Sequence, residues 1–313
     1  MNNKLIAAIA GLVVVAGIGF GGYYGYKAVT EPAGQGASKA EKGDSLKFTE
    51  MKSGDFSLSG SVKSNSDAAT LGQGTLDFSA AGSLSIQDPE NPILESDLSF
   101  KLMQGQVGEP LIDAVLAVKG IGQRFYFKLD KLTLPKQMAL PIDVSPYLAK
   151  WMFAESKDKT ATAEDLTAED KRIVELFNKT HFLIVKQDLG VAVIDGGSGR
   201  KYLVRLDETA AKGFLQELLK LSKSDLSSAE EAQAYDAVTV LSKEDITIVK
   251  DEAGYLREIS LGGSTPEATY AFTLRFSNIN KVVQVTEPTG ATNFEEVVKS
   301  FMGGMAPGLV PNN

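Results

Sequence analysis

From residue 46 to about residue 132, apolar and polar residues alternate with a period of two, and no helix can hold such a pattern. On a strand, side chains two apart share a face, so this alternation marks strands buried on one side only. "DFSLSGSV" sets Phe56, Leu58, Gly60 and Val62 on one side. "GTLDFSAAGSLSI" continues the pattern, "DLSFKL" repeats it at Leu98, Phe100 and Leu102, and "RFYFKLDKL" at Phe125, Phe127 and Leu129. Turn chemistry such as "SNSD" and "DPENP" separates the runs. The economical arrangement is an antiparallel meander with one wet face.

The middle of the chain reads as helical. "PYLAKWMF", 146 to 153, has the look of a short apolar helix carrying Tyr147 and Trp151. "TAEDLTAEDKRIVELFNKT" offers Thr162 or Thr167 as a helix cap with Asp165 or Asp170 three residues on, and Ile173, Leu176 and Phe177 form its apolar stripe. Strands are expected again at "HFLIVKQ", "LGVAVID" and "RKYLVRL", the last two joined by "GGSG" as a hairpin turn. Asp207 should cap a helix with Phe214, Leu218 and Leu221 on one face, and Ser228 with Glu231 should box a second. The chain then returns to strands at "DITIVKD", "YLREISLGG", "ATYAFTLRF" and "KVVQV". Tyr270, Phe272, Leu274 and Phe276 share one side of the third of these.

The N-terminus obeys a different rule. "LVVVAGIGFGG" matches the glycine fingerprint of a dinucleotide-binding turn, but no second buried strand follows and Pro32 breaks the chain soon after. The run from Leu5 through Tyr26 contains no charged residue. As a helix it would be about 33 Å long, enough for a hydrocarbon core of about 30 Å. Lys4 precedes it, and Tyr23, Tyr24 and Tyr26 cluster at the far end, where aromatic rings favour the headgroup level. The expected arrangement is a single-pass signal anchor at 1–27 in the cell membrane, with a cytoplasmic N-terminus and an extracytoplasmic main domain. A cleaved signal peptide is the rival reading, weakened by the absence of a nearby A-x-A site. A Gly- and Ala-rich tether at 28–45, a folded domain at 46–302 and a tail at 303–313 complete the organisation.

Composition narrows the function classes. The formal net charge is −8 with acids and bases interspersed, which does not suit a nucleic-acid surface. With no cysteine the chain has no disulfide, thiolate metal site or cysteine nucleophile. The only histidine, His181, opens a strand after a helix end, and no G-x-S-x-G elbow is present. The acidic pairs Glu164/Asp165, Glu230/Glu231 and Glu295/Glu296 suit the first turns of helices. No catalytic residue, cofactor site or metal site is therefore expected, and the chain is not read as an enzyme.

The order of elements after residue 200 carries a resemblance. "RKYLVRLD" leading into two helices, then "DEAGYLREISL", "TYAFTLRFSNIN" and "KVVQVTEPTGA" resembles the C-terminal half of bacterial LolA-like and LppX/LprG-like envelope proteins. The resemblance is firmest over 200–294. It implies an α+β fold: a curved antiparallel half-barrel of about 11 strands with helices over its concave face, here with an N-terminal transmembrane helix added. It also implies a lipid or acyl chain in the cavity between sheet and helices. Members of that group are commonly anchored through a lipidated cysteine, which this chain lacks. The apolar residues placed as ligand candidates are Phe125, Phe127, Tyr147, Trp151, Tyr270, Phe272, Leu274 and Phe276. Two functions follow: a membrane-tethered lipid-binding protein, or a non-catalytic structural or protein-interaction module of the cell envelope. An open apolar cavity of several hundred Å³ favours the first and a solid core the second.

Overall fold

The alternating runs pair into one sheet. The structure, a computed structural model, describes residues 48–299 apart from 50, 65–73, 89–90, 105–109, 123, 135–143, 156–171, 173–175, 177–179, 196, 222–226, 265–267 and 298. Its strands are β1 (Ser53–Ser64), β2 (Gly74–Ser85), β3 (Ile93–Gln104), β4 (Ile112–Ile121), β5 (Arg124–Thr133), β6 (Trp151–Glu155), β7 (Leu183–Ile194), β8 (Gly197–Leu206), β9 (Ile246–Asp251), β10 (Leu256–Ser264), β11 (Ala268–Ser277) and β12 (Thr292–Asn293). They form a 12-stranded open sheet in the order β12-β6-β5-β4-β3-β2-β1-β11-β10-β9-β8-β7. Every pairing is antiparallel except β12 with β6. The first and last thirds of the chain meet where β1 pairs with β11.

Register keeps the apolar parity on one face across that junction. Phe56 lies opposite Phe276, Leu58 opposite Leu274, Gly60 opposite Phe272 and Val62 opposite Tyr270. The other face of β1 is polar, with Ser57 and Ser59 exposed. Ile259 and Leu261 of β10, Ile246 and Ile248 of β9, Tyr202 and Val204 of β8, and Leu183 and Val185 of β7 extend the buried face to the sheet edge.

Two helices, α1 (Glu208–Leu221) and α2 (Ser228–Leu241), contribute Ala211 and Leu241 to the same core. Asp207 caps α1 as expected, its Oδ1 accepting the Ala210 N–H at 3.0 Å. Helix α2 starts at Ser228, and the Ser227 carbonyl accepts the Glu231 N–H, so the turn begins one residue before the expected cap. Glu208 links the helices: its carboxylate accepts from Lys212 of α1 and from Thr239 and Ser242 at the end of α2. Those bonds, Lys212 first, hold the carboxyl below its usual range.

Four sequence readings need correction. "PYLAKWMF" is not a helix: Ser145–Tyr147 form a 3₁₀ turn, Ala149 sits at φ 57°, and Trp151–Glu155 form β6. The free edge of β5 offers a ladder that Trp and Phe fill well, and that pairing overrides the local apolar spacing. "HFLIVKQ" and "LGVAVID" belong to one strand, β7, bent by irregularities at Val185/Gln187 and Asp188/Gly190. "KVVQV" joins no sheet; residues 281–285 run as a strap that leads to β12. Strand β4, with its mixed alternation, is not among the expected strands, and with β6 and β12 it brings the sheet to twelve strands where about eleven are expected. Residues 1–47 lie outside the described residues, and so do most of 156–179 and the tail, which takes in the expected anchor, tether and first helix. Among the described residues no helix is long and apolar enough to cross a membrane.

Candidate functional site

The core-facing surface of the sheet divides into a closed part and an open part. Over β1 and β7–β11, short of the end of the β7–β8 hairpin, it is packed shut: Leu274, Ile248, Val204 and Tyr202 have no exposure. Tyr270, Phe272 and Phe276 are buried with them. Over β2–β5 the same parity continues with patchier cover, Leu84, Leu102 and Val118 being buried and their neighbours not. Phe78 lies opposite Phe100, Leu98 opposite Leu116, Leu116 opposite Leu129, and Val118 opposite Phe127. Phe100 is 40% exposed and Phe125 45% exposed, while Leu98, Leu116, Phe127 and Leu129 are half-buried. Phe125 and Phe127 stack with ring centroids 6.3 Å apart. Phe294, just after β12, meets the edge of Phe127 at 5.2 Å. The result is an apolar patch of aromatic and aliphatic side chains, without a charged residue on its parity through the centre of β3 and β4.

The opposite face of β4–β6 holds a second cluster, covered by the strap. Tyr126 is buried although its parity is outward, because the strap passes over it and Glu287 accepts its hydroxyl at 2.7 Å. Burial first, then the Glu287 hydrogen bond, pushes the Tyr126 phenol above its usual value. Lys119 donates to the Thr286 carbonyl at 3.2 Å. Arg124 bonds Glu155 at 2.7 Å, approaches Glu287 at 3.4 Å and lies over the Phe153 ring. Trp151 lies between Lys119 and Lys128, whose ammonium groups are 5.6 and 5.3 Å from its ring.

The eight ligand candidates therefore separate. Phe125 and Phe127 lie on the open patch, joined by Phe78 and Phe100, which sequence reasoning had placed only as strand residues. Tyr270, Phe272, Leu274 and Phe276 share a face as expected, but it is closed core. Trp151 faces away from the patch, on the strap side, because it pairs with Lys128 while Met152 pairs with Phe127. Tyr147 stands half-buried in the 3₁₀ turn. What distinguishes Phe100 from Phe272 is the cover supplied by distant helices, which alternation along a strand does not encode.

Polar chemistry is sparse. His181 is exposed, and among the described residues no group of His, Asp and Glu is arranged to hold a metal. In "DPENP" the described ends meet: the Asn91 side chain donates to the Asp88 carboxylate at 2.9 Å and its N–H to the Asp88 carbonyl at 3.2 Å. A comparison with protein-family models finds no match to the chain, and a comparison with curated proteins finds none either.

Proposed function

We propose that this is a membrane-tethered, extracytoplasmic protein that binds an acyl chain on the open part of a strongly bent half-barrel. Helices α1 and α2 join the core over β7–β10 and the Val62 and Phe272 ends of β1 and β11, Met51, Ile86 and Ile279 pack over Phe56, Leu274 and Phe276, and the face is less covered over β2–β5. Bending is supported by the glycines on the core parity: a Cβ at Gly82 would run into the Glu95 carbonyl of the neighbouring strand. The observation that carries the reading is the exposure of Phe100 and Phe125, at opposite ends of the same core-facing parity, with Leu98, Leu116, Phe127 and Leu129 only half-buried between them. Hydrophobic contact would supply affinity there, with few polar contacts to select a headgroup.

The closed part of the face favours a structural role for Tyr270 to Phe276, so the ligand site is confined to the β2–β5 side. Photo-crosslinking tests this directly. Full-length protein in lipid nanodiscs, irradiated with a diazirine fatty acid, should carry label on peptides within 93–133. Label confined to residues 5–26 would refute the proposal.

A further inference from the structure

Three of the most exposed large apolar residues lie at one rim of the sheet. Val193 is 93% exposed, Val282 76% and Val191 75%. Val191 and Val193 lie opposite Arg200 and Ser198, so they are the last core-parity residues of the β7–β8 hairpin. The hairpin end is held in place. Asp188 accepts the Gly190 N–H at 2.8 Å and takes Arg200 at 2.6 Å, fixing the bulge that re-aims the strand. Val282 follows Lys281, whose carbonyl accepts the Ser53 hydroxyl at 2.6 Å at the start of β1.

The chain enters the fold at the same rim. Thr49 donates its N–H to Gly254 at 2.9 Å and its hydroxyl to Ala253 at 2.7 Å, in the turn between β9 and β10. That turn touches the hairpin, because Ser198 donates to Glu252. A continuous path of contacts thus joins the entry point to both valine sites. The 22 residues from 27 to 48 separate Thr49 from the apolar run. As a flexible Gly- and Ala-rich tether, a segment of that length would span about 25 Å, which would keep the entry rim nearest the anchor.

We infer that this rim, through Val191, Val193 and Val282, docks on the bilayer surface that residues 5–26 enter. The inference rests on the membrane-anchor reading. The contact is apolar rather than electrostatic: exposed Asp195 and Glu252 are interspersed with exposed Lys52, Lys201 and Lys281 around the valines, so the described rim carries mixed charge rather than a single-sign field. The partner is therefore a zwitterionic lipid surface, and tethering makes even weak insertion effective by raising the local concentration.

The chain has no cysteine, so Val193→Cys and Val282→Cys each place one fluorophore at the rim, and Gln104→Cys places one at the exposed end of β3 on the opposite rim. Each full-length variant is reconstituted in phosphatidylcholine vesicles with and without nitroxide-labelled lipid. Quenching at 193 and 282, absent at 104 and persisting in 1 M salt, is the expected result. Adding Val191→Asp to the Val282→Cys chain should weaken the quenching about tenfold. Protein that floats with the vesicles while 193 and 282 stay unquenched overturns the docking and leaves the anchor standing. Protein that does not float overturns both. Disulfide-linked 193–193 dimers in the unlabelled variant would overturn it in favour of a second copy of the chain.

Discussion

Gly60 is the position where a single methyl group should report on the packing of the whole sheet. It lies in the middle of β1, between Phe78 on β2 and Phe272 on β11, and the two rings close over it at a centroid distance of 5.6 Å. A Cβ added there would fall within 3.0 Å of ring carbons of both phenylalanines, closer than real Cβ atoms come. Phe272 is sealed in the core, so Phe78, on the open side, must give way. Overpacking of this kind costs about 1–3 kcal/mol, and the strained aromatic pair adds about 0.5–1.5 kcal/mol. The reduced freedom of the unfolded chain returns about 0.4–1 kcal/mol, because Gly60 is not among the positive-φ glycines and alanine suits its backbone. Gly60→Ala should therefore destabilise by about 1–3 kcal/mol, a fall in Tm of about 2–4 °C per kcal/mol for a domain of this size. Circular dichroism of the full-length chain on heating measures it, and Gly60→Ala with Phe78→Leu should recover most of the loss. An unchanged or raised Tm in Gly60→Ala would refute the argument.

Two further outcomes follow from buried phenols. Burial, then the nearby Glu244 carboxylate, raises the Tyr270 phenol, so the folded state keeps that proton more tightly than the unfolded chain does. The stability it contributes is fully present below pH about 10 and is lost as pH rises through the folded value. Among the described residues its buried hydroxyl makes no hydrogen bond of good geometry, with the Glu244 carboxylate only close by, so Tyr270→Phe should be neutral or more stable by up to about 1 kcal/mol at pH 7 and should flatten the alkaline decline in chemical denaturation. A loss above that size at pH 7 would count against the assignment. Glu287→Ala should leave the Tyr126 hydroxyl buried without its acceptor, at about 1–3 kcal/mol, and speed hydrogen exchange over 281–291. Glu287→Gln, which keeps an acceptor, should lose less; equal losses would show that the strap is held by charge alone.

Much of the sheet was legible because alternation is a local property of covalent geometry. Phe56 to Val62, Leu98 to Leu102, Phe125 to Leu129 and Tyr270 to Phe276 each declared a face in sequence, and register joined the faces. Asp207 announced its helix through its own side chain, which reaches a backbone N–H three residues on. Tertiary structure decided the rest. Trp151 became a strand residue because the β5 edge lay open beside it, and Tyr126 was buried against its parity because a strap from more than 150 residues away covers it. Phe125 and Phe272 carry the same residue type on the same core-facing parity, yet one is 45% exposed and the other 3%. Alternation assigns a side chain to a face of the sheet, whereas burial of that face depends on which distant segments pack over it, and that is settled only by the energetics of the whole fold.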